Sequence, residues 1–272
     1  MTHNDDTVAG DEFTAPAQLH LQALAGVPLV RAGDDIGTLI ATALAAAQVQ
    51  LLADDVIVIA QKIVSKSEGR SVELSSVVPS PRASELAART GKDPRLVELI
   101  LRESREVRRV GKEVLIVEHR SGFVLANAGI DQSNVNADAL DATALLLPVD
   151  ADASAARIRT RLLDLCKVAP GVLIIDSIGR AWRRGTVGQA IGAAGVPVWI
   201  NLRGRKDIYG RVLRASDLAV ADELAAAASL LMGQSSERRP LVHVRGLRLA
   251  HAAGDGGGAT LLQRPNNEDL FP

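Results

Sequence analysis

The chain has 272 residues, with 31 basic and 32 acidic side chains and a formal net charge of −1. This balance and an aromatic content of only 2% argue against a general nucleic-acid-binding protein, which would need a basic surface or aromatic platforms for bases. No apolar run reaches the ~18 residues of a membrane-spanning helix, and the single cysteine, Cys166, excludes an intramolecular disulfide. We therefore expect a cytoplasmic globular protein without a nucleic-acid or membrane partner.

In chain order, helical periodicity alternates irregularly with short apolar runs. Pro81 and Pro94 follow Ser80 and Asp93, an arrangement of N-cap and first helical residue that begins a helix. Helices are predicted at 36–52, from 81, from 94, at 153–166 and at 218–232. Strands are predicted at 56–60, 114–117, 123–126, 171–176, 197–201 and 241–244, and the second and third of these flank a turn at 120–122 as in a hairpin.

The order of these elements predicts the fold class. It lacks the regular strand–helix alternation of a doubly wound fold, and a hairpin requires antiparallel pairing. We predict an α+β fold with mixed or antiparallel sheets and helices. Residues 1–18 and 251–272 lack periodicity, so we predict a disordered N-terminal tail, one domain at 19–250 and a flexible C-terminal tail.

Several common catalytic motifs are missing from the sequence. It contains no G-x-x-x-x-G-K-[ST] phosphate loop, no G-x-G-x-x-G between a strand and a helix, and neither H-E-x-x-H nor G-x-S-x-G. The five histidines are scattered along the chain. Any chemistry must therefore rest on carboxylates, amides, backbone groups and basic side chains.

Two polar segments each follow a predicted strand. The first, 127–134, offers oxygen atoms from Asp131 and Asn134, and the second begins with Asp176 and Ser177. Hard cations such as Mg²⁺ or Mn²⁺ take carboxylate and other oxygen ligands, often together with phosphate oxygens. A turn stabilised by local hydrogen bonds is the alternative for the first segment, and a capping aspartate is the alternative for the second.

Between residues 177 and 216, eight basic residues accompany a single acid, Asp207. The eight are Arg180, Arg183, Arg184, Arg203, Arg205, Lys206, Arg211 and Arg214. A polyanionic ligand would relieve their mutual repulsion, and guanidinium groups bind phosphates and carboxylates in a bidentate manner. We favour an anion-binding site over a solvated basic face.

Two further positions carry only weak local signals. Lys66 lies shortly after the strand at 56–60, where phosphate-binding lysines are common, but a solvated lysine fits equally well. Gln234 follows Gly233, the residue type expected where a helix ends. Nothing local gives Gln234 a role.

Taken together and in this order, seven stretches resemble one family, the coenzyme F420:L-glutamate ligases. They are GVPLVRAGDD, DDVIVIAQKIVSKSEGR, NAGIDQSNV, GVLIIDSIGRAWRRGTVGQAIG, GRKDIYGR, VADELAAAASLLMGQ and VRGL, and they span about residues 26–247. The resemblance implies the α+β fold of the F420 gamma-glutamyl ligases and an intertwined homodimer. It also implies a reaction in which GTP drives the addition of L-glutamate to coenzyme F420-0 through an acyl phosphate, giving GDP and phosphate.

The resemblance further implies roles for individual residues. Asp131 and Asp176 match a first, catalytic metal site for Mg²⁺ or Mn²⁺, Ser177 and Gln234 match a second, and K⁺ is a further candidate ion. Positions that contact the nucleotide match Val27, Pro28, Leu29, Val30, Gln61, Lys62, Lys66, Asn134, Met232, Gly233, Gln234, Ser235 and Ser236. From the basic segment, we expect Arg180, Arg205 and Lys206 to bind the anionic substrates in a cleft shared with the two aspartates.

The sequence departs from the family pattern in two places. Some members carry Ser-Thr where this chain has Gln61-Lys62, and many have a glycine-rich turn after the position of Gln234. Two other functions stay open: a related nucleotide-dependent ligase that acts on another polyanionic acceptor, and a non-catalytic protein that binds nucleotide or coenzyme.

Overall fold

The computed structural model of the chain describes residues 18–135, 142–247 and 257–268. The helices of this part are α1 (Ile36–Ala46), α2 (Gln61–Ser67), α3 (Pro81–Thr90), α4 (Pro94–Glu103), α5 (Ala151–Cys166) and α6 (Val220–Met232). Its strands are β1 (His20–Leu24), β2 (Val56–Ala60), β3 (Ser71–Glu73), β4 (Ser104–Gly111), β5 (Val114–His119), β6 (Val124–Ala126), β7 (Thr143–Leu145), β8 (Gly171–Gly179), β9 (Thr186–Ala194), β10 (Ile200–Asn201), β11 (Asp217–Leu218) and β12 (Leu241–Arg245).

A five-stranded mixed sheet forms the centre of the molecule. Its order is β1-β12-β2-β8-β9, in which β2 and β8 are parallel and the other neighbours are antiparallel. Smaller antiparallel sheets are formed by β4-β5-β6, by β3-β7 and by β10-β11. The predicted α+β class with mixed sheets and the predicted hairpin of β5 and β6 are confirmed.

Side-chain alternation along β2 and β8 supplies two separate cores. On one face, Ile57 and Ile174 pack with α1 and α5, and on the other, Val58 and Leu173 pack with α6. Successive strand residues point to opposite faces, so an apolar run such as that of β8 can fill both layers. A third core lies beneath α3, α4 and the β4-β5-β6 sheet, around Ile100. The central sheet is therefore buried on both faces, and its strand ends are where polar side chains can collect.

The predicted helix starts are confirmed at both prolines, because Ser80 and Asp93 accept backbone hydrogen bonds as N-caps and the prolines follow directly. The first helix is shorter than predicted. It ends at Ala46, because Gln48 adopts a left-handed conformation with φ of 56° that a helix cannot continue through. Likewise, only Ile200–Asn201 of the predicted 197–201 strand is paired.

Part of the segment expected to form a C-terminal tail contacts the body of the protein. The carboxylate of Asp152, in the first turn of α5, accepts hydrogen bonds from the backbone N–H groups of Ala193 (2.8 Å) and Ala259 (2.7 Å). Ala259 is fully buried in the core beside α6. Of the predicted tails, residues 1–17, 251–256 and 269–272 lie outside the described residues. None of the helices in the described ranges is long and apolar enough to cross a bilayer.

Candidate active site

The parallel pairing of β2 and β8 brings two predicted site residues side by side. In this register Ala60 lies opposite Ile175, so Gln61 and Asp176 follow at the same edge of the sheet. Gln61 begins α2, whereas β8 continues through Asp176 and Ser177 to Gly179. Residues more than one hundred positions apart in sequence therefore meet because two strands pair in parallel.

Asp131 reaches this edge by a different route. The chain leaves β6 through a tight turn in which Asn127, Ala128 and Gly129 all have positive φ. Asp131 then forms a bridge with Leu145, with backbone hydrogen bonds of 3.0 and 2.8 Å. The bridge extends the small β3-β7 sheet and fixes the backbone from which the Asp131 carboxylate projects.

The Asp131 carboxylate has a partner for each oxygen. Gln61 donates from Nε2 to Oδ2 at 2.8 Å, and the ammonium of Lys62 lies 3.3 Å from Oδ1. Lys62 also contacts the carbonyl (3.4 Å) and the hydroxyl (3.3 Å) of Ser133. The first turn of α2 thus holds the 131–133 segment in place.

Asp176 leads to a second group of polar side chains. Its Oδ1 accepts a hydrogen bond from the backbone N–H of Ser177 at 2.8 Å, and the Ser177 hydroxyl donates to Oε1 of Gln234 at 2.8 Å. Gln234 comes within reach because Gly233 ends α6 at φ 74° and ψ −179°, a conformation essentially restricted to glycine. The pairing of Ser177 with Gln234 across 57 positions matches the pairing implied by the resemblance.

A third link joins Lys66, Asn134 and Ser235. The Lys66 ammonium donates to the Asn134 carbonyl at 2.7 Å, and the Asn134 side chain donates to the Ser235 carbonyl at 3.1 Å. Nine predicted site residues are therefore connected around one strand-end cleft: Gln61, Lys62, Lys66, Asp131, Asn134, Asp176, Ser177, Gln234 and Ser235.

Burial and mutual repulsion shift the pKa values of Asp131 and Asp176, which we call the acidic pair. Burial first and then the neighbouring Asp131 carboxylate together raise the pKa of Asp176 to about 7, against hydrogen bonds from Ser177 and Gln61. Burial also raises the pKa of Asp131, although Lys62 and Gln61 oppose the shift. For Lys66, burial and the nearby Lys62 lower the pKa. Two repelling carboxylates and two repelling ammoniums at one cleft favour ligands of both signs.

The donor set fits a divalent metal ion bound together with phosphate. Within the described ranges, no group of three or more His, Cys, Asp or Glu side chains forms a self-sufficient metal site. The acidic pair, the Ser177 hydroxyl and the Gln234 carbonyl are hard oxygen donors. Mg²⁺ is typically held by one or two carboxylates, with water and substrate phosphates completing the shell. Asp131 and Asp176 would hold such an ion, with Ser177 and Gln234 beside it.

The remaining predicted nucleotide contacts have mixed surroundings. In the loop before α1, Val30 is buried in the core and Leu29 is exposed. Gly33 of the same loop donates its backbone N–H to the Ser67 carbonyl at 2.8 Å, which ties the loop to α2. The Met232 side chain, at the end of α6, is buried in the core on that side of the sheet. Val27 is partly buried, and Pro28 and Ser236 are not hydrogen-bonded to the acidic pair.

The predicted anion-binding residues lie in two different parts of the structure. Arg180 lies just beyond β8, four residues after Asp176, and its buried Nη1 has no hydrogen-bond partner among the described residues. Arg205 and Lys206 lie instead on a hairpin-like projection, residues 202–216, which we call the basic arm. Its backbone hydrogen bonds join its own two legs, for example Gly204 to Leu213 at 2.9 Å.

The base of the basic arm lies at the opposite end of α6 from the acidic pair. The arm grows from the β10-β11 ladder, directly before α6, where Ala221 donates to the Val198 carbonyl at 3.2 Å. The other end of α6 delivers Gln234 to Ser177. Because α6 has 13 residues, these ends are about 20 Å apart. Within one chain, the base of the arm therefore lies apart from the acidic pair, and the cleft shared by Arg180, Arg205 and Lys206 stays a prediction.

Sequence reasoning missed Ser65 and Ser133 as parts of the site. Ser133 contacts Lys62, and the fully buried Ser65 donates from its hydroxyl to Oε1 of Gln61 at 2.8 Å. The i,i+4 spacing of Gln61 and Ser65 on a helix could have indicated their contact. No local pattern pointed to Ser133.

Comparison with known proteins covers the part of the chain that contains these residues. A family model described as F420-0:Gamma-glutamyl ligase matches residues 26–246. The chain is 49% identical over 254 residues to the coenzyme F420:L-glutamate ligase of Methanothermobacter thermautotrophicus, covering 93% of this chain and 98% of the relative. Proteins of the same name from Methanopyrus kandleri (46% over 250 residues; 90% and 95% covered) and Archaeoglobus fulgidus (44% over 246 residues; 90% and 93% covered) are also similar. The resemblance found in the sequence is confirmed, and the chain belongs to the F420-0:gamma-glutamyl ligase family.

Proposed function

We propose that this chain is a coenzyme F420-0:L-glutamate ligase of F420 biosynthesis that consumes GTP and uses Mg²⁺ or Mn²⁺, with K⁺ as a further candidate ion. The observation that carries the proposal is the joining of the acidic pair, Ser177 and Gln234 at one strand-end cleft, although they come from three separate parts of the chain. Family membership and the names of the relatives supply the reaction.

The chemistry requires activation of a carboxylate. A carboxylate does not acylate an amine at neutral pH, because an oxide ion is a poor leaving group. A carboxylate oxygen of the coenzyme would attack the γ-phosphorus of GTP, which breaks the bond to the β-phosphate oxygen and releases GDP. The amine of glutamate would then attack the acyl carbon of the acyl phosphate, lose a proton to solvent and expel inorganic phosphate.

The protein's part in this reaction is positioning and charge compensation, which phosphoryl transfer needs more than covalent help. A divalent ion held by the acidic pair would neutralise phosphate charge during transfer. Lys62 and Lys66 stand at the same cleft for the nucleotide phosphates, and the unpaired Nη1 of Arg180 suits an anionic substrate group. No protein nucleophile is required, which agrees with the motifs missing from the sequence.

We further propose that the chain acts as a homodimer. Both of its tryptophans and its only tyrosine are exposed, with Trp182 at 85% and Tyr209 at 80%. Tyr209 and Ile208, which is 91% exposed, lie at the tip of the basic arm. A large apolar tip on a projecting arm is costly in water and suits insertion into a second copy. Such an exchange would also bring Arg205 and Lys206 to the acidic pair of the second copy. Within one chain, the length of α6 separates the acidic pair from the base of the arm by about 20 Å.

Replacing Ile208 and Tyr209 by serine tests the dimer. We expect the wild type to sediment as a dimer and the double variant as a folded monomer, with sedimentation velocity and circular dichroism as the measurements. A wild-type protein that sediments as a monomer at micromolar concentration would contradict the dimer while leaving the ligase reaction untouched.

The products of an activity assay distinguish two other functions from this proposal. A related ligase acting on another polyanionic acceptor would release GDP or ADP with that acceptor but leave F420-0 unchanged. A non-catalytic binder would bind nucleotide or coenzyme without releasing phosphate. The acidic pair favours catalysis, because two repelling carboxylates beside a phosphate site are costly unless a metal ion joins them. Incubation of F420-0 with L-glutamate, nucleotide and metal, followed by mass spectrometry, decides among the three.

A further inference from the structure

One buried amide is hydrogen-bonded to Asp131 and lies close to Asp176. Gln61 is only 1% exposed, and its Nε2 donates to Oδ2 of Asp131 at 2.8 Å. A hydrogen bond from the same side chain also acts to lower the pKa of Asp176 against the effect of burial. A neutral amide offers two N–H donors, so it can serve two carboxylates without cancelling the charge that a metal ion needs.

The other end of this amide is held by Ser65. Ser65, one turn further along α2 and fully buried, donates its hydroxyl proton to Oε1 of Gln61 at 2.8 Å. If the amide turned over, its oxygen would face the oxygen of an ionised carboxylate, and neither group could donate. The carboxylate therefore sets which way the amide faces, and the Ser65 hydroxyl, which can donate or accept, holds the amide in that position.

The Gln61 side chain does not serve the helix that it begins. The N-terminus of α2 has Ala60 as its N-cap and no side-chain capping bond. The hydrogen bonds of the Gln61 amide go to a site carboxylate and to Ser65. The contacts of this buried polar group are thus explained by the acidic pair and not by the local fold.

We propose that Gln61, held in place by Ser65, is a positioning residue that keeps Asp131 and Asp176 at the spacing a divalent ion requires. The proposal rests on the metal-dependent function proposed above and differs from the nucleotide contact that the resemblance implies for Gln61. Without its two donors, the carboxylates would repel each other and swing apart or share a proton, and either change removes a joint metal site. Groups that orient metal ligands typically contribute 10- to 100-fold in metal affinity.

The test compares Gln61→Met, Ser65→Ala, the double variant and Ser67→Ala. Ser67 is a matched control on the same helix, because its hydroxyl bonds only to the Val64 carbonyl at 2.9 Å. Mn²⁺ affinity of the nucleotide-free protein is measured by electron paramagnetic resonance of free Mn²⁺, and GDP affinity without metal by calorimetry.

For Gln61→Met we expect Mn²⁺ affinity to fall roughly 10- to 100-fold, while GDP affinity changes by less than about twofold. Ser65→Ala should weaken Mn²⁺ binding less, and the double variant should match Gln61→Met alone, because Ser65 acts through Gln61. Ser67→Ala should bind Mn²⁺ like the wild type. A merely structural loss would lower thermal stability without this pattern of non-additivity.

The other outcomes contradict the positioning role of Gln61 alone or together with the proposed function. Mn²⁺ affinity of Gln61→Met within about twofold of the wild type, or a loss confined to GDP, overturns the positioning role. If Asp176→Asn still abolishes Mn²⁺ binding in that case, the proposed function survives. A wild type that binds no Mn²⁺ with or without GTP overturns both. If Gln61→Met does not fold, Ser65→Ala decides, and unchanged Mn²⁺ affinity in that variant contradicts the inference.

Discussion

The charges of the acidic pair are held in place by hydrogen bonds, whereas most charges of the basic arm are exposed to solvent. Around Asp131 and Asp176, partners come from α2 and β8, each carboxylate accepts a short hydrogen bond, and Gln234 after α6 bonds to the adjacent Ser177. Along the arm, Lys206 and most of the arginines face solvent, and most of the backbone hydrogen bonds join the arm's own two legs. A preorganised charge suits catalysis, whereas a free charge on a projecting arm suits recruitment of a ligand or a partner. The two regions should therefore respond differently to mutation.

The largest effect is expected from Asp176→Asn, which keeps the size of the side chain and removes its charge. Turnover should fall about 100-fold or more, because metal-assisted charge neutralisation contributes several kcal/mol to phosphoryl transfer. The checks are initial rates with GTP and circular dichroism of the variant. Near-normal turnover in a folded Asp176→Asn protein would reduce Asp176 to a turn residue.

A smaller effect is expected from Arg205→Ala in the basic arm. Loss of a charge-assisted hydrogen bond worth about 1.5–3 kcal/mol should raise the apparent KM for coenzyme or glutamate roughly 10- to 150-fold, with less effect on nucleotide. Rising salt should weaken substrate binding to the wild type more than to the variant. Unchanged substrate affinity of Arg205→Ala at low salt would make the arm ordinary solvated surface.

Mixing variants tests whether the arm serves the partner's acidic pair. Asp176→Asn and Arg205→Ala/Lys206→Ala subunits, unfolded together and refolded, should regain roughly a quarter of wild-type activity at low substrate concentration, because half of the random dimers carry one intact site. A mixture of Asp131→Asn and Asp176→Asn subunits is the control. It should stay inactive, because every subunit then carries one defect in its own acidic pair. If the first mixture also stays inactive, the arm acts within its own chain.

A separate effect concerns stability and pH. Because folding raises the pKa of Asp176 from 3.8 to about 7, the folded state binds the extra proton between these values. Its contribution to stability is present at low pH and is lost as pH rises through about 7, at up to ~1.4 kcal/mol per pH unit. In metal-free buffer, Asp176→Asn should gain stability relative to the wild type between pH 4 and 7. Urea unfolding across this range checks the difference, and parallel curves would contradict the shift.

The sequence predicted local features of both regions but not how they meet. The apolar run of β8 and its abrupt end on an acid marked Asp176, and proximity marked Arg180. The convergence of Gln61 with Asp176 depends on a parallel pairing between strands 115 positions apart, from Val56 to Gly171, which periodicity does not encode. The arm's place at the far end of α6 likewise follows from tertiary packing. The resemblance named Gln234, whereas only the packing of α6 explains how it reaches Ser177.

The ligase reaction itself is tested most directly by mass spectrometry of the coenzyme. Purified protein is incubated with F420-0, L-glutamate, GTP and either Mn²⁺ or Mg²⁺, with omission of each component as the control. We predict F420-1 or longer glutamylated forms only in the complete mixtures, with GDP and phosphate released in proportion. Unmodified F420-0 with both metals, and with ATP in place of GTP as well, would contradict the account.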